Sequence, residues 1–361
     1  MNITHVFIFS AEHHVLPYID FIKEQLSQDE FSTNVLVYSK VPSKEMRKLV
    51  SPNLVLTQER KNVVNHIKNA NKNNKVIIHG IYDNVIFFKL LLTFKPLKFI
   101  YWVMWGGDVY FKAPTGLKGW LIKLSRKLVI PRIGFKLGFS CDYQWLFKKL
   151  DVKDKGEFRD VCFPAWFYTN INKNKGKLIR DKQSTNKLCA LVGNSADPTN
   201  NFIALIDILK TTSLFGKYTF LLNYGGTPEY IEEVQSYAKQ QLLHCDLSFL
   251  TSKLDYANYI EVVANHDAII YNHDRQQGVG SLNVAFEHGL AVFIPKNNPL
   301  QENYNDWGVK VFTTQSLPKL SEVDIKNTLH KGVNRIKIQK HYHPNNVASN
   351  LLNILKENTD A

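Results

Sequence analysis

The chain has 361 residues, 44% hydrophobic and 21% charged, which is too long for one ordinary core, fits two domains, and excludes an extensively disordered protein. Lysine and arginine number 45 against 32 aspartate and glutamate, so the formal charge of +13 calls for an anionic partner: nucleic acid, an anionic membrane surface or a polyphosphate substrate. Cys141, Cys162, Cys189 and Cys245 are widely spaced, without CxxC or Cys/His metal spacing, and are expected as free thiols in a reducing compartment.

In chain order, residues 1–7 carry no basic region ahead of their apolar run and read as a buried strand, not a signal peptide. Apolar runs at Ile3–Phe9, Asn34–Tyr38, Leu54–Thr57, Lys75–His79, Phe99–Val103, Leu137–Ser140 and Val161–Phe163 alternate with helical patterns, as in a parallel α/β sheet. The most apolar region, Val85 to Trp105, is broken by Lys89, Lys95, Pro96 and Lys98 and is not expected to span a membrane.

Three polar loops follow strands in this half: Ser10 to His14, His79 to Asn84, and Trp105 to Tyr110. Asp108 and His13 are the candidates for a general base that deprotonates an acceptor hydroxyl, with His14, His79 and Trp105 beside them. The bland alternatives are a turn carboxylate for Asp108 and a locally bonded helix-start pair for His13 and His14. None of the histidines has a metal-ligand spacing.

From Val109 to Cys141 there is no acidic residue, but there are Lys112, Lys118, Lys123, Arg126, Lys127, Arg132 and Lys136. Leu117, Trp120, Leu121, Leu124 and Leu128 recur among them at helical spacing. The stretch is either a basic amphipathic helix resting on an anionic membrane through Lys118, Trp120, Lys123, Arg126, Lys127 and Arg132, or a core-facing stripe with a solvated basic face.

A lysine- and asparagine-rich stretch, residues 170–186, reads as a linker, dividing the chain into domains at 1–175 and 186–335 with a helical segment at 336–361. The strand pattern restarts at Leu188–Val192, Tyr218–Leu222, Leu247–Leu250, Ala268–Tyr271, Val292–Ile294 and Val309–Phe312. Two loops here run from a strand through a polar turn to a helix start: Ala190 to Asn200, and Asp274 to Ser281. Free backbone N–H groups and a guanidinium around one point suit a phosphate, so Asn194, Ser195, Arg275, Gln276, Gln277, Gly278, Val279, Gly280 and Ser281 are assigned to a nucleoside-diphosphate site. Tyr224 is a candidate for the sugar or base pocket, and Glu287 is either a ribose acceptor or a helix carboxylate in a salt bridge.

The motifs Trp105 to Tyr110, Leu191 to Ser195, Lys253 to Tyr256 with Tyr259, and Arg275 to Gly280 occur in an order that resembles glycosyltransferase family 56, with its bacterial 4-acetamido-4,6-dideoxygalactosyltransferases of enterobacterial common antigen synthesis. The resemblance spans most of the chain. It implies a GT-B fold: two Rossmann-like α/β domains facing a cleft, the first for the acceptor and the second for the donor. It also implies transfer of an N-acetylated 4-amino-4,6-dideoxyhexose from a dTDP-sugar to an undecaprenyl-diphosphate-linked oligosaccharide, by a peripheral protein on the cytoplasmic face of the bacterial inner membrane. Gly107 departs from the family's Trp-Gly-Ala-Asp, and the segment from Asn223 to Pro228 and the position of Glu287 also differ, which leaves the exact sugar open.

Within that frame Arg275 and the helix start stabilise the departing dTDP, no cofactor is required, and the absence of a DxD pair suggests metal independence. An inverting course needs Asp108 or His13 as base; a retaining one does not. The alternatives are a nucleotide-sugar 2-epimerase of the same architecture and a basic nucleic-acid-binding module, though the sequence lacks helix-turn-helix, zinc-finger and RRM signatures.

Overall fold

The computed structural model describes residues 2–8, 12–26, 32–48, 50–93, 97–162, 187–329 and 332–357. It divides into two compact units, Met1–Asn172 with His341–Ala361, and Lys173–Lys340. The expected linker at 170–186 and Phe163 lie outside the described residues.

The first unit is built on a seven-stranded, wholly parallel sheet of β1 (Asn2–Phe7), β2 (Ser32–Tyr38), β3 (Leu54–Thr57), β4 (Asn74–His79), β5 (Leu97–Val103), β6 (Ile133–Gly138) and β7 (Glu157–Asp160). Its order is β3-β2-β1-β4-β5-β6-β7, so the direction of winding reverses between β1 and β4. Central strands of a parallel sheet are covered on both faces, which is why their sequences read as continuous apolar runs rather than alternations. Val6, Ile78 and Trp102 pack on one face with Val63, Ile67 and Phe87, and Ile3, Phe7 and Tyr101 pack on the other.

That second face is closed by the last helix, Pro344–Glu357, through Val347, Leu351 and Leu355. The C-terminal segment is therefore part of the first unit's core. Lys75, fully buried on β4, donates its ammonium to the carbonyl of Leu355 and satisfies an acceptor left over at the helix end.

Two strands lie earlier than their apolar runs suggest. β6 begins at Ile133 because Lys136, counted with the solvated basic stretch, is a fully buried strand residue that pairs with Asp154 and donates to the Ile133 carbonyl at 2.6 Å. β7 is the mixed segment Glu157–Asp160, half-exposed at the sheet edge, and Val161 follows it.

The second unit has a six-stranded parallel sheet of β8 (Leu188–Val192), β9 (Phe215–Leu221), β10 (Asp246–Leu250), β11 (Ala268–Ile270), β12 (Ala291–Ile294) and β13 (Phe312–Thr313). Its order, β10-β9-β8-β11-β12-β13, is that of a dinucleotide-binding fold, and it reverses between β8 and β11. Among the described residues no helix is long and apolar enough to cross a membrane.

In the first unit His5 and His79 stack with ring centroids 5.3 Å apart and share a 3.0 Å contact from Nδ1 to Nε2. Burial lowers His5 from 6.5 to about 3, and burial with the His5 contact holds His79 well below its usual value. The unfolded chain thus takes up protons that the folded chain refuses, so stability is intact above pH 6.5 and falls as pH drops from there toward 3. Stability measured by urea unfolding should fall below that point by on the order of 1 kcal/mol per pH unit. A flat stability profile between neutral pH and pH 5 would show that both rings protonate in place.

Candidate active site

At the carboxyl end of β8 the chain turns at Gly193, whose N–H donates to the Ile270 carbonyl at 2.9 Å. Gly193 has φ +72°, and a Cβ there would stand 2.4 Å from the Phe202 ring, so no other residue fits. The loop then bends around Asn200, which is fully buried. Asn200 accepts from the Asn194 N–H at 3.1 Å and faces His273 Nε2 at 2.8 Å, while its Nδ2 donates to Ser195 Oγ at 3.3 Å.

One amide thereby ties the loop after β8 to the loop after β11, across the point where the sheet reverses. The amide oxygen can only accept, which makes Nε2 the protonated nitrogen of His273. Burial first, and the Arg275 charge second, lower His273 to about 3, so the ring is neutral.

The loop after β11 is fixed from below as well. Asn298 donates to the carbonyls of His273 at 2.7 Å and Arg275 at 3.1 Å. The Arg275 side chain is half-buried and forms no ion pair among the described residues. It acts on Asp197: burial works to raise that carboxyl, but the Thr199 hydroxyl and amide, with Arg275 adding, outweigh it and hold it below the usual carboxylate range. Thr199 Oγ1 lies 2.6 Å from Asp197 Oδ1 and 2.8 Å from Gln277 Oε1, and Gln277 donates to Asn194 Oδ1 at 3.4 Å.

Gln276 separates Arg275 from Gln277, and Gly278 then opens the helix Val279–Glu287. Gly278 has φ +67°, and a Cβ would lie 2.7 Å from Asn194 Nδ2 and 2.9 Å from Tyr271 Cε2. Its carbonyl accepts from Leu282, and no side chain caps the helix, which leaves the first-turn N–H groups of Val279, Gly280 and Ser281 without an intrahelical acceptor. The buried phenols of Tyr259 and Tyr271 approach the Ser281 hydroxyl, and burial pushes both above their usual range. Tyr224, 58% exposed after β9, accepts the Ala196 N–H through its carbonyl at 2.8 Å. Thr227 beyond it is a helix cap, accepting from the Tyr230 N–H.

Asn194, Ser195, Tyr224 and the run from Arg275 to Ser281 are thus gathered at the carboxyl ends of β8, β9 and β11. Glu287 is not with them. It sits at the far end of the helix with a side chain only 5% exposed, paired with Arg335 at 2.9 Å and bonded by Gln339 at 3.0 Å, which is the salt-bridge alternative in a buried form.

In the first unit Asp108 is 1% exposed and accepts from the Ile81 N–H at 3.0 Å, the Trp102 indole at 2.8 Å and the Trp105 N–H at 2.9 Å. Burial raises its carboxyl against those bonds and the Arg126 charge. Asp108 is therefore the hub that holds its loop to the sheet, and its oxygens are occupied rather than presented to an acceptor. His79 is fully buried, 6.4 Å by ring centroids from Trp105. His13 and His14 stand in the first turn of the helix Glu12–Phe21 after β1; their side chains lie outside the described residues.

The basic stretch forms the helix Gly116–Val129, and its leucine and tryptophan ridge faces outward rather than into the core. Gly119, Ile122, Ser125, Arg126 and Val129 face the unit, while Leu117, Trp120, Leu121 and Leu128 are 73%, 57%, 38% and 46% exposed. Lys118, Lys123 and Lys127 are exposed around that ridge. Arg126 does not face outward. It is 4% exposed, lies over the rings of Phe87 and Phe111, and donates to the Asp108 carbonyl. Arg132 is half-buried and donates to the Thr93 carbonyl.

A family model described as 4-alpha-L-fucosyltransferase, glycosyl transferase group 56, matches residues 1–358. The chain belongs to glycosyltransferase family 56. Solved structures that resemble it include a glycosyltransferase from Rickettsia africae, with a TM-score of 0.66 and 11% identity over 99% of this chain and 98% of that one. Anabaena Alr3699/HepE in complex with UDP and glucose gives a TM-score of 0.64 and 12% identity, covering 99% and 100% of the two chains. The lipopolysaccharide outer core galactosyltransferase WaaB gives 0.64 and 11%, covering 99% of each. The protein is a glycosyltransferase with the GT-B fold.

For a family 56 enzyme the sequence pointed to the loops but not to what fixes them. Asn200 and His273 lay within or beside the quoted motifs, and their buried amide-imidazole contact spans 73 positions that no local pattern connects. Asn298 carries no sequence signal at all. Gly278→Ala should destabilise the second unit by about 1–3 kcal/mol, from left-handed backbone strain and the clash with Asn194. Urea unfolding with wild-type stability would show that the turn relaxes freely.

Proposed function

We propose that the protein transfers an N-acetylated 4-amino-4,6-dideoxyhexose from a dTDP-sugar to an undecaprenyl-diphosphate-linked oligosaccharide, as a metal-independent, peripheral enzyme on the cytoplasmic face of the inner membrane in surface polysaccharide synthesis. One observation carries the donor half: an uncapped helix start and an unpaired arginine meet at the reversal point of a parallel sheet. Ligands of open α/β sheets bind there, and helix N-termini favour diphosphates. The nature of the sugar follows from the sequence resemblance alone.

In this reading the diphosphate lies against the Val279, Gly280 and Ser281 amides, with Arg275 on its other side. Negative charge grows on the leaving diphosphate as the glycosidic bond breaks, and a guanidinium and fixed dipoles stabilise it without reorganisation. Asn194, Ser195 and Gln277 line the approach, and Tyr224 offers a half-exposed ring to the base or sugar. Asp108 positions the Trp105 loop. His13 remains the candidate base for an inverting course.

Membrane association is supported by the outward ridge of the helix Gly116–Val129, flanked by Lys118 on one side and Lys123 and Lys127 on the other. Apolar side chains that enter a headgroup layer between lysines are the mark of an interfacial helix. Each lysine near an anionic leaflet adds about 1 kcal/mol, and salt weakens that attraction.

In a thermal-shift panel dTDP should stabilise the protein more than UDP, GDP or CMP, by about 2.7 kcal/mol at a hundredfold excess over Kd. Arg275→Ala should abolish that shift and lower transfer by about 10²-fold or more. Activity should persist in chelator. No shift with any nucleoside diphosphate would refute the donor site, and activity lost in chelator but restored by magnesium would refute metal independence.

The protein should sediment with phosphatidylglycerol vesicles and not with neutral phosphatidylcholine vesicles, less so as salt rises. Trp120→Ser with Leu117→Ser, both at exposed positions, should weaken sedimentation about tenfold or more. Undiminished sedimentation of that variant would remove the helix from the role.

A further inference from the structure

We infer that a groove in the first unit holds the hydrocarbon chain of the lipid-linked acceptor next to its anionic head, an assignment that rests on the lipid-acceptor reading above. The groove encloses about 640 Å³ at the carboxyl ends of β1, β2 and β4, where that sheet reverses. Its volume is in the range of small-molecule sites, and ligands of parallel sheets gather at such ends.

The groove's exposed lining surface is mostly apolar, with Ile8, Phe88, Phe111 and Ile122 beside the polar Tyr38, Ser39 and Asn84. Val41 and Val85 in the same lining are 86% and 40% exposed. Apolar surface of that kind, continuous with an apolar groove, marks a place that something covers.

Charge decides what covers it. The carboxylate in the lining, Asp83, is compensated: it pairs with Arg60, accepts from the Tyr38 hydroxyl at 3.3 Å and caps Val85 at 3.0 Å. Lys40 and Lys118, both exposed in the same lining, have no carboxylate partner among the described residues. An apolar channel with uncompensated cations at its mouth suits a chain that ends in a diphosphate better than a neutral ligand.

The route of entry points the same way. Lys118 and Ile122 line the groove, while Leu117, Trp120 and Leu121 of the same helix form the outward ridge. One helix therefore borders both the membrane-directed surface and the groove. A lipid chain can pass from one to the other with its apolar part shielded and its head beside lysine.

The test is binding of farnesyl diphosphate to the full-length protein in vesicle-free solution, with inorganic pyrophosphate and short-chain phosphatidylglycerol as comparisons. Farnesyl diphosphate should bind at least about tenfold more tightly than either. Lys40→Glu with Lys118→Glu, and separately Val41→Asp, should each weaken it about tenfold or more. All three positions are exposed, and an unchanged thermal shift with dTDP checks that these variants fold. Equal farnesyl diphosphate binding by wild type and variants would overturn the assignment, as would phosphatidylglycerol binding as tightly and competing. Loss of the groove result with the dTDP shift intact overturns this inference alone; farnesyl diphosphate binding without a response to any nucleoside diphosphate overturns the donor reading alone.

Discussion

The site in the second unit is organised around one fully buried amide. Asn200 joins two loops that leave adjacent strands, β8 and β11, in opposite winding directions, and the weaker links from Thr199 to Gln277, from Gln277 to Asn194 and between Asn201 and Asn272 are grouped around it. With its oxygen shared between the Asn194 N–H and the His273 imidazole, the amide is satisfied only when both loops are in place. Its low-dielectric surroundings make the bonds strong and their loss costly. Gly278 completes the arrangement from the other side, since any side chain there would push Asn194 away. The helix start keeps its first-turn N–H groups uncapped while Asn194, Thr199, Asn200 and Gln277 beside it are bonded to one another or to the neighbouring loop.

That division between occupied and unoccupied polar groups runs through the described residues of both units. Lys136 and Arg126 belong in the sequence to one basic stretch and Lys75 to a strand, yet each is buried and bonded to a carbonyl or carboxylate. Asp108 has the same character among the acids. Among the described residues Arg275, Lys118, Lys40, Lys123 and Lys127 have no carboxylate partner.

The strands were legible from the sequence because a buried parallel strand must be apolar on both faces, and the runs at Leu54–Thr57 and Leu188–Val192 coincide with strands at the same bounds. The pattern failed where a charge is compensated from far away. Lys136 breaks the run of β6 and is neutralised by Asp154, eighteen positions on, so the strand was read too late. The loops after β8 and β11 were visible as strand, glycine turn and helix start; the amides that lock them were not, because Asn200 and Asn298 act across the sheet. For Glu287 the sequence left a ribose contact and a salt bridge open, and it stands at the other end of the same helix, paired with Arg335.

The orientation of the helix Gly116–Val129 is the least local of these outcomes. Its apolar periodicity permits either face to be inward, and hydrophobicity alone favours burying the leucines. The structure instead buries Gly119, Ser125 and Arg126, because the neighbouring helix Asn84–Leu91 offers Asn84 and Phe87 to the guanidinium, and the Asp108 carbonyl completes its partners. A buried arginine held by an aromatic face and oxygen acceptors outweighs a leucine ridge only if the ridge has somewhere else to go. The exposed tryptophan and leucines are thus the other half of the Asp108–Arg126 arrangement: the network that fixes the Trp105 loop also determines which side of the helix is left outward. Loop order and surface character are set by one packing decision, so a change in the first cannot leave the second untouched.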